Sequence, residues 1–104
     1  MILLRVGGNY NMYIILVYDI LSDGSEGNRV SRNIFKICKK YLTHIQNSVF
    51  EGELTTPLFQ KLKLELKIYI RKDSDSLIIF ENPQLRHLKK HFWGIEDKKT
   101  SNFF

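Results

Sequence analysis

Among the residues with chemistry to offer, Asp19 is the leading candidate. It closes an apolar run, YIILVYDI at residues 13–20, whose β-branched and aromatic residues favour a buried strand. A carboxylate is costly to bury, so a strand that ends on one opens there into a cleft, onto a cation or onto solvent. A single Asp makes a poor Mg²⁺ site, which takes one or two carboxylates together with waters and phosphate oxygens. Two copies of the chain about a two-fold axis would bring the two Asp19 side chains together and complete the pair. Other ligand candidates fare worse. HLKKH sets His87 and His91 four apart, the spacing of zinc proteases, but the glutamate that follows the first His in that motif is missing, and Lys89 and Lys90 repel a cation. The chain has no P-loop, nucleophile elbow or cysteine pair, so nucleophilic side-chain catalysis finds no support.

The elements that must position Asp19 follow from spacing. After the first strand, LSDGSEGN has the composition of a loop. NRVSRNIFKICKKYL then places Val30, Ile34, Ile37, Cys38, Tyr41 and Leu42 at intervals of three and four, which predicts an amphipathic helix with Asn28 or Ser25 as its N-cap. Its other side carries Arg29, Arg32, Lys36, Lys39 and Lys40. Such a face suits a polyanion, and it also suits plain solvation. Residues 43–55, THIQNSVFEGELT, read as strand, either bent or broken into a hairpin near Asn47 and Ser48. TPLFQKLKLELKIYI opens with a Thr cap and Pro57 at the first helical position, and Leu58, Phe59, Leu62, Leu66, Tyr69 and Ile70 supply its apolar stripe. LIIFE, residues 77–81, is a last short strand after the polar turn RKDSDS. This order, βαββαβ, predicts a ferredoxin-like α+β sandwich with both helices on one face of an antiparallel sheet.

Composition bounds the answer. One domain with a real core fits 104 residues, and 16 Lys and Arg against 11 Asp and Glu give a net charge of +5 on a chain that is 43% hydrophobic. The single cysteine, Cys38, cannot form an internal disulfide and reads as a buried thiol in a reducing cytoplasm. No apolar run approaches the roughly 20 residues of a membrane span. Residues 1–11 read as an appendage, 12–96 as the domain and 97–104 as a flexible tail. Phe92, Trp93 and Ile95 form an apolar knot beyond the last strand. The expectation is that this segment crosses to a second copy and adds an edge strand at a dimer interface.

The run ending Tyr18-Asp19, the helix from Asn28, QNSVFEGELT and DSLIIF together resemble, over roughly residues 12–95, the CRISPR-associated endoribonuclease family, the small ferredoxin-like subunit that acts in spacer acquisition. The resemblance implies that Asp19 is the catalytic carboxylate and metal ligand, for Mg²⁺ or another divalent cation, at the two-fold interface of a homodimer. It makes Arg29 and Arg32 the basic contacts to nucleic acid, to which the helix face adds Lys36. It sets Tyr18, Ser48 and Phe50 near the cleft. His44 stands where many members carry Arg, a departure that would weaken phosphate contact. The family further implies a cytoplasmic bacterial or archaeal protein that cuts RNA or DNA with a metal, partners the CRISPR integrase subunit, or bridges DNA as a scaffold without chemistry of its own.

Overall fold

The computed structural model describes residues 11–83 and 89–94. The elements run β1 (Asn11–Asp19), α1 (Ser25–Tyr41), β2 (Thr43–Gln46), β3 (Val49–Thr55), α2 (Thr56–Tyr69) and β4 (Ser76–Asn82). The strands form one antiparallel sheet in the order β2-β3-β1-β4, so β1 is bonded on both edges. This is the ferredoxin-like α+β arrangement that the order of elements predicts.

The two-residue period of β1 sorts its side chains. Met12, Ile14, Leu16 and Tyr18 are buried on one face, where they meet Val30, Ile34, Ile37 and Cys38 of α1 and Phe59, Leu62 and Leu66 of α2. Both helices therefore cover the same face. The open face carries Ile15, Val17, Val49, Ile78 and Phe80, of which Ile78 and Phe80 are more than half exposed. Cys38 is fully buried, and burial pushes its thiol up to about 12.

The second strand region is a hairpin. β2 and β3 pair around a turn in which Asn47 takes the left-handed conformation, with φ of 44°, that Asn tolerates better than most residues. α1 starts earlier than an Asn28 cap would allow. Its N-cap is Gly24, with φ of 87° and no side-chain cap bond, and Ser25 lies inside the first turn. The natural capping side chain nearby, Asp23, is bonded instead to Arg71. For α2 the cap is Thr55, whose Oγ1 accepts a long 3.4 Å bond from the Leu58 amide, so Pro57 falls at the second helical position. Leu58 leaves the expected stripe and is 41% exposed, and Leu64 and Ile68 are more exposed still.

Gly27 is the position where a missing side chain shapes the fold. A Cβ there would lie 2.4 Å from the Leu21 carbonyl oxygen and 2.5 Å from Asp23 Oδ1, so the loop after β1 packs directly onto the first turn of α1. On an open helix Gly→Ala gains about 1 kcal/mol. Here the sign should reverse: Gly27→Ala is expected to lose roughly 1–3 kcal/mol, the usual cost of overpacking, as measured by urea denaturation.

Candidate nucleic-acid and metal site

Asp19 is the last residue of β1, where it pairs with Ser76, the first residue of β4. It is exposed, whereas its neighbour Tyr18 is buried. Among the described residues no side chain is bonded to its carboxylate, while the two acidic residues nearest it along the loop and in the turn before β4 are engaged elsewhere. Asp23 accepts two 2.9 Å bonds from Arg71 Nη1. Asp75, whose side chain is fully buried, accepts from Arg71 Nε, Arg71 Nη2 and the amides of Arg71 and Leu21, all within 3.0 Å. Asp19 is thus an uncommitted hard-oxygen donor among the described residues at this end of the sheet. Among the described residues no group of three His, Cys, Asp or Glu could hold a metal ion. A single carboxylate is a poor Mg²⁺ site by itself, since that ion takes one or two carboxylates with waters and phosphate oxygens.

The sequence-flagged neighbours of Asp19 do come together, but as its floor. The Tyr18 ring stacks on Phe50 with centroids 6.1 Å apart, and the Tyr18 amide donates to the Ser48 carbonyl at 3.2 Å. Phe50, expected beside the cleft, is completely buried and packs edge-on against Phe35 at 5.4 Å. Burial and the nearby Cys38 hold the Tyr18 hydroxyl up at about 12, against the opposite pull of its hydrogen bond with Ser48, so it stays protonated at neutral pH. Tyr18 and Phe50 shape the site from below and do not line an open cleft. Phe35 and His44 belong to the same cluster. The His44 ring lies 4.9 Å from both Phe35 and Phe50, and its Nε2 bonds the Asn47 carbonyl at 2.8 Å. Phe35 falls outside the three-and-four stripe of α1 and is only partly buried, so its spacing does not mark it; its packing against the hairpin does.

Arg29, Arg32 and Lys36 project from α1 and are exposed, spaced three and four apart and therefore on one side of the helix. The Arg29 guanidinium is steadied over the Tyr69 ring at 5.9 Å, an arrangement that leaves its charge available. Lys40, expected on the same basic face, is diverted. It pairs with Glu65 of α2 at 2.6 Å, and the Tyr41 hydroxyl donates to the same carboxylate. Those bonds hold Glu65 below the usual carboxylate range and raise Lys40 and Tyr41.

The apolar tail is partly in view. Residues 89–94 form neither helix nor strand within the single chain, Phe92 is 40% exposed and Trp93 is 89% exposed, while Ile95, His87 and residues 1–10 and 97–104 lie outside the described residues. Lys90 Nζ reaches the buried Glu51 on the open sheet face at 3.0 Å.

The model of the family described as CRISPR associated protein Cas2 matches residues 12–88, from the first residues of β1 past the end of β4. The chain belongs to the Cas2 family. It is 50% identical over 101 residues to the CRISPR-associated endoribonuclease Cas2 of Fusobacterium nucleatum, covering 97% of this chain and 93% of that protein. With the protein of the same description from Thermotoga maritima it shares 46% over 93 residues, 89% of this chain and all of the relative. Among solved structures, a crystal structure of Cas2 superposes with a TM-score of 0.67 at 36% identity, covering 85% of this chain and 92% of that one. Streptococcus pyogenes Cas2 at pH 6.5 gives 0.64 at 26% identity, covering 77% and 99%. No helix among the described residues is long and apolar enough to cross a membrane.

The Arg71 bonds hold the Asp75 carboxyl down at about 2, from 3.8. A depressed carboxylate contributes stability that is present above its unfolded value and is lost as pH falls through the folded one. The stability difference between the wild type and Asp75→Asn should therefore be full above about pH 5 and shrink as pH falls from there toward 2, as followed by chemical denaturation across a pH series.

Proposed function

We propose that the chain is a divalent-metal-dependent endonuclease of CRISPR defence that acts, as a homodimer in the cytoplasm of a bacterium or archaeon, on RNA or duplex DNA during spacer acquisition. The observation that carries this reading is Asp19: an exposed carboxylate on an inner strand, without a partner among the described residues, in a chain whose relatives are described as endoribonucleases. The working unit would include residues 12–96, in keeping with a family match that begins at residue 12, and it reaches at least to Asn11 of β1, which pairs with Thr55.

In this reading Asp19 of each copy would be a ligand for a divalent ion. When bound, Mg²⁺ or a similar ion would supply Lewis-acid relief of the charge that develops on the phosphate and a more acidic water. Arg29, Arg32 and Lys36 bind backbone phosphates and keep the strand in register. Tyr18, Ser48 and Phe50 keep the end of β1 from shifting. The open sheet face, with Ile15, Val17, Val49, Ile78 and Phe80, supports a second copy as the partner, because apolar side chains this concentrated on one face favour burial. The exposed Phe92 and Trp93, with Ile95, would add to that interface by crossing to the other protomer.

A specific observation favours a second reading. Each chain brings one carboxylate, while three cations of α1 need no metal to hold DNA. The dimer would then serve as a non-catalytic bridge for DNA beside the CRISPR integrase subunit. Two measurements test these readings. Asp19→Asn should abolish cleavage of RNA or duplex DNA, as EDTA should, while sedimentation shows an intact dimer; cleavage at the wild-type rate by the variant would remove the enzyme and leave the bridge. Deleting residues 91–104 should weaken the dimer, and a truncated chain that still sediments as a tight dimer at micromolar concentration would return the tail to its own subunit.

A further inference from the structure

Between Asp19 and the basic helix lie five residues, ILSDG, with a composition that by itself gives a pliant loop. In the structure this stretch is pinned. The ladder between β1 and β4 ends at the pair Asp19 and Ser76, and the next element of order is a side chain: Asp75 Oδ1 accepts the Leu21 amide at 3.0 Å, where a strand carbonyl would otherwise be needed. Arg71 completes the arrangement. Its Nη2 donates to the Leu21 carbonyl at 3.0 Å and to Asp75 at 2.9 Å, and its Nη1 donates to both oxygens of Asp23 at 2.9 Å. Gly27 lets the same loop sit against α1, with no room for a Cβ between them. On the other side of Asp19, the Tyr18 amide is held by the Ser48 carbonyl. The backbone that carries the Asp19 carboxylate is therefore fixed immediately before and two residues after it.

We propose that Arg71 and Asp75 are positioning residues, acting through Leu21 and Asp23 to set the direction of the Asp19 carboxylate and its placement relative to the cations of α1. The inference rests on the reading of Asp19 as a metal ligand. A site divided between two copies makes the need for positioning acute, because each half must arrive in register with the other and a small freedom in each compounds. The buried side chain of Asp75 and the largely buried side chain of Arg71 spend six bonds on the loop backbone, on Asp23 and on each other, more than holding the turn before β4 requires.

The test uses the full chain with Mn²⁺ alone as the probe, read by paramagnetic broadening of the Asp19 and Ser76 amide resonances, at a temperature far below unfolding. Wild type, Asp19→Asn, Arg71→Lys and Asp75→Asn are compared. Asp19→Asn should abolish the broadening, and Arg71→Lys and Asp75→Asn should each weaken Mn²⁺ binding about 10-fold, the lower end of what outer-shell changes cost metal sites. A purely structural role would lower the melting temperature of those two variants and leave Mn²⁺ affinity of the folded protein unchanged. Affinities within twofold of wild type, alongside a silent Asp19→Asn, would overturn the positioning role and spare the metal reading. Broadening that persists unchanged in Asp19→Asn would overturn the metal reading itself, and the positioning role with it.

Discussion

Everything in this fold leans on the double pairing of β1. A strand bonded on both edges, with one face beneath two helices, has almost no freedom to slide, because a slip of one residue would send Ile14 and Leu16 to the open face and bring Ile15 and Val17 under the helices. Since Ile15 and Val17 are themselves apolar, the cost of such a slip falls at the end of the strand, where Tyr18 would leave the core and the Asp19 carboxylate would turn toward it. Asp19 inherits that rigidity. A side chain that gains nothing from burial is placed by side chains that gain a great deal, and the energy that fixes the site is spent in the core.

The charges divide into two populations with different work. Arg71, Asp23, Asp75, Lys40 and Glu65 are consumed inside the subunit, joining loop to turn and helix to helix. The Arg71–Asp75 pair, with Asp75 fully buried and Arg71 largely so, contributes little net stability once desolvation is counted, but breaking one partner away is costly, so it specifies an arrangement more than it strengthens it. Arg29, Arg32 and Lys36 are left facing outward without an acidic partner among the described residues. A net charge of +5 therefore understates how one-sided the outer surface of α1 is.

How much of this was legible in the sequence depended on whether the signal was local. The alternation of β1, the three-and-four spacing of Val30, Ile34, Ile37 and Cys38, and Thr and Pro ahead of Leu58 all act through near neighbours, and they placed the elements within a few residues. Asp19 stood out because a carboxylate contradicts its surroundings. What could not be read were pairings across long stretches of chain. Asp23 looked like loop composition until Arg71, 48 residues away, took its carboxylate and left Gly24 to begin the helix. Lys40 sat on the basic face by spacing, and only the packing of α1 on α2 showed it facing Glu65. Phe50 was read beside a cleft because of where its motif lies; the pairing Leu16–Phe50 turns it inward.

The burial of Cys38 also bears on how the molecule can be watched. Thiol reagents attack the thiolate, and a sulfur sealed between α1 and the sheet, with its ionisation pushed up to about 12, offers them almost none at neutral pH. Labelling must then wait for α1 to lift from the sheet. Because the chain holds one cysteine, the rate at which an alkylating reagent consumes it is a direct clock for that opening, with no engineered probe and no second site to confuse the count.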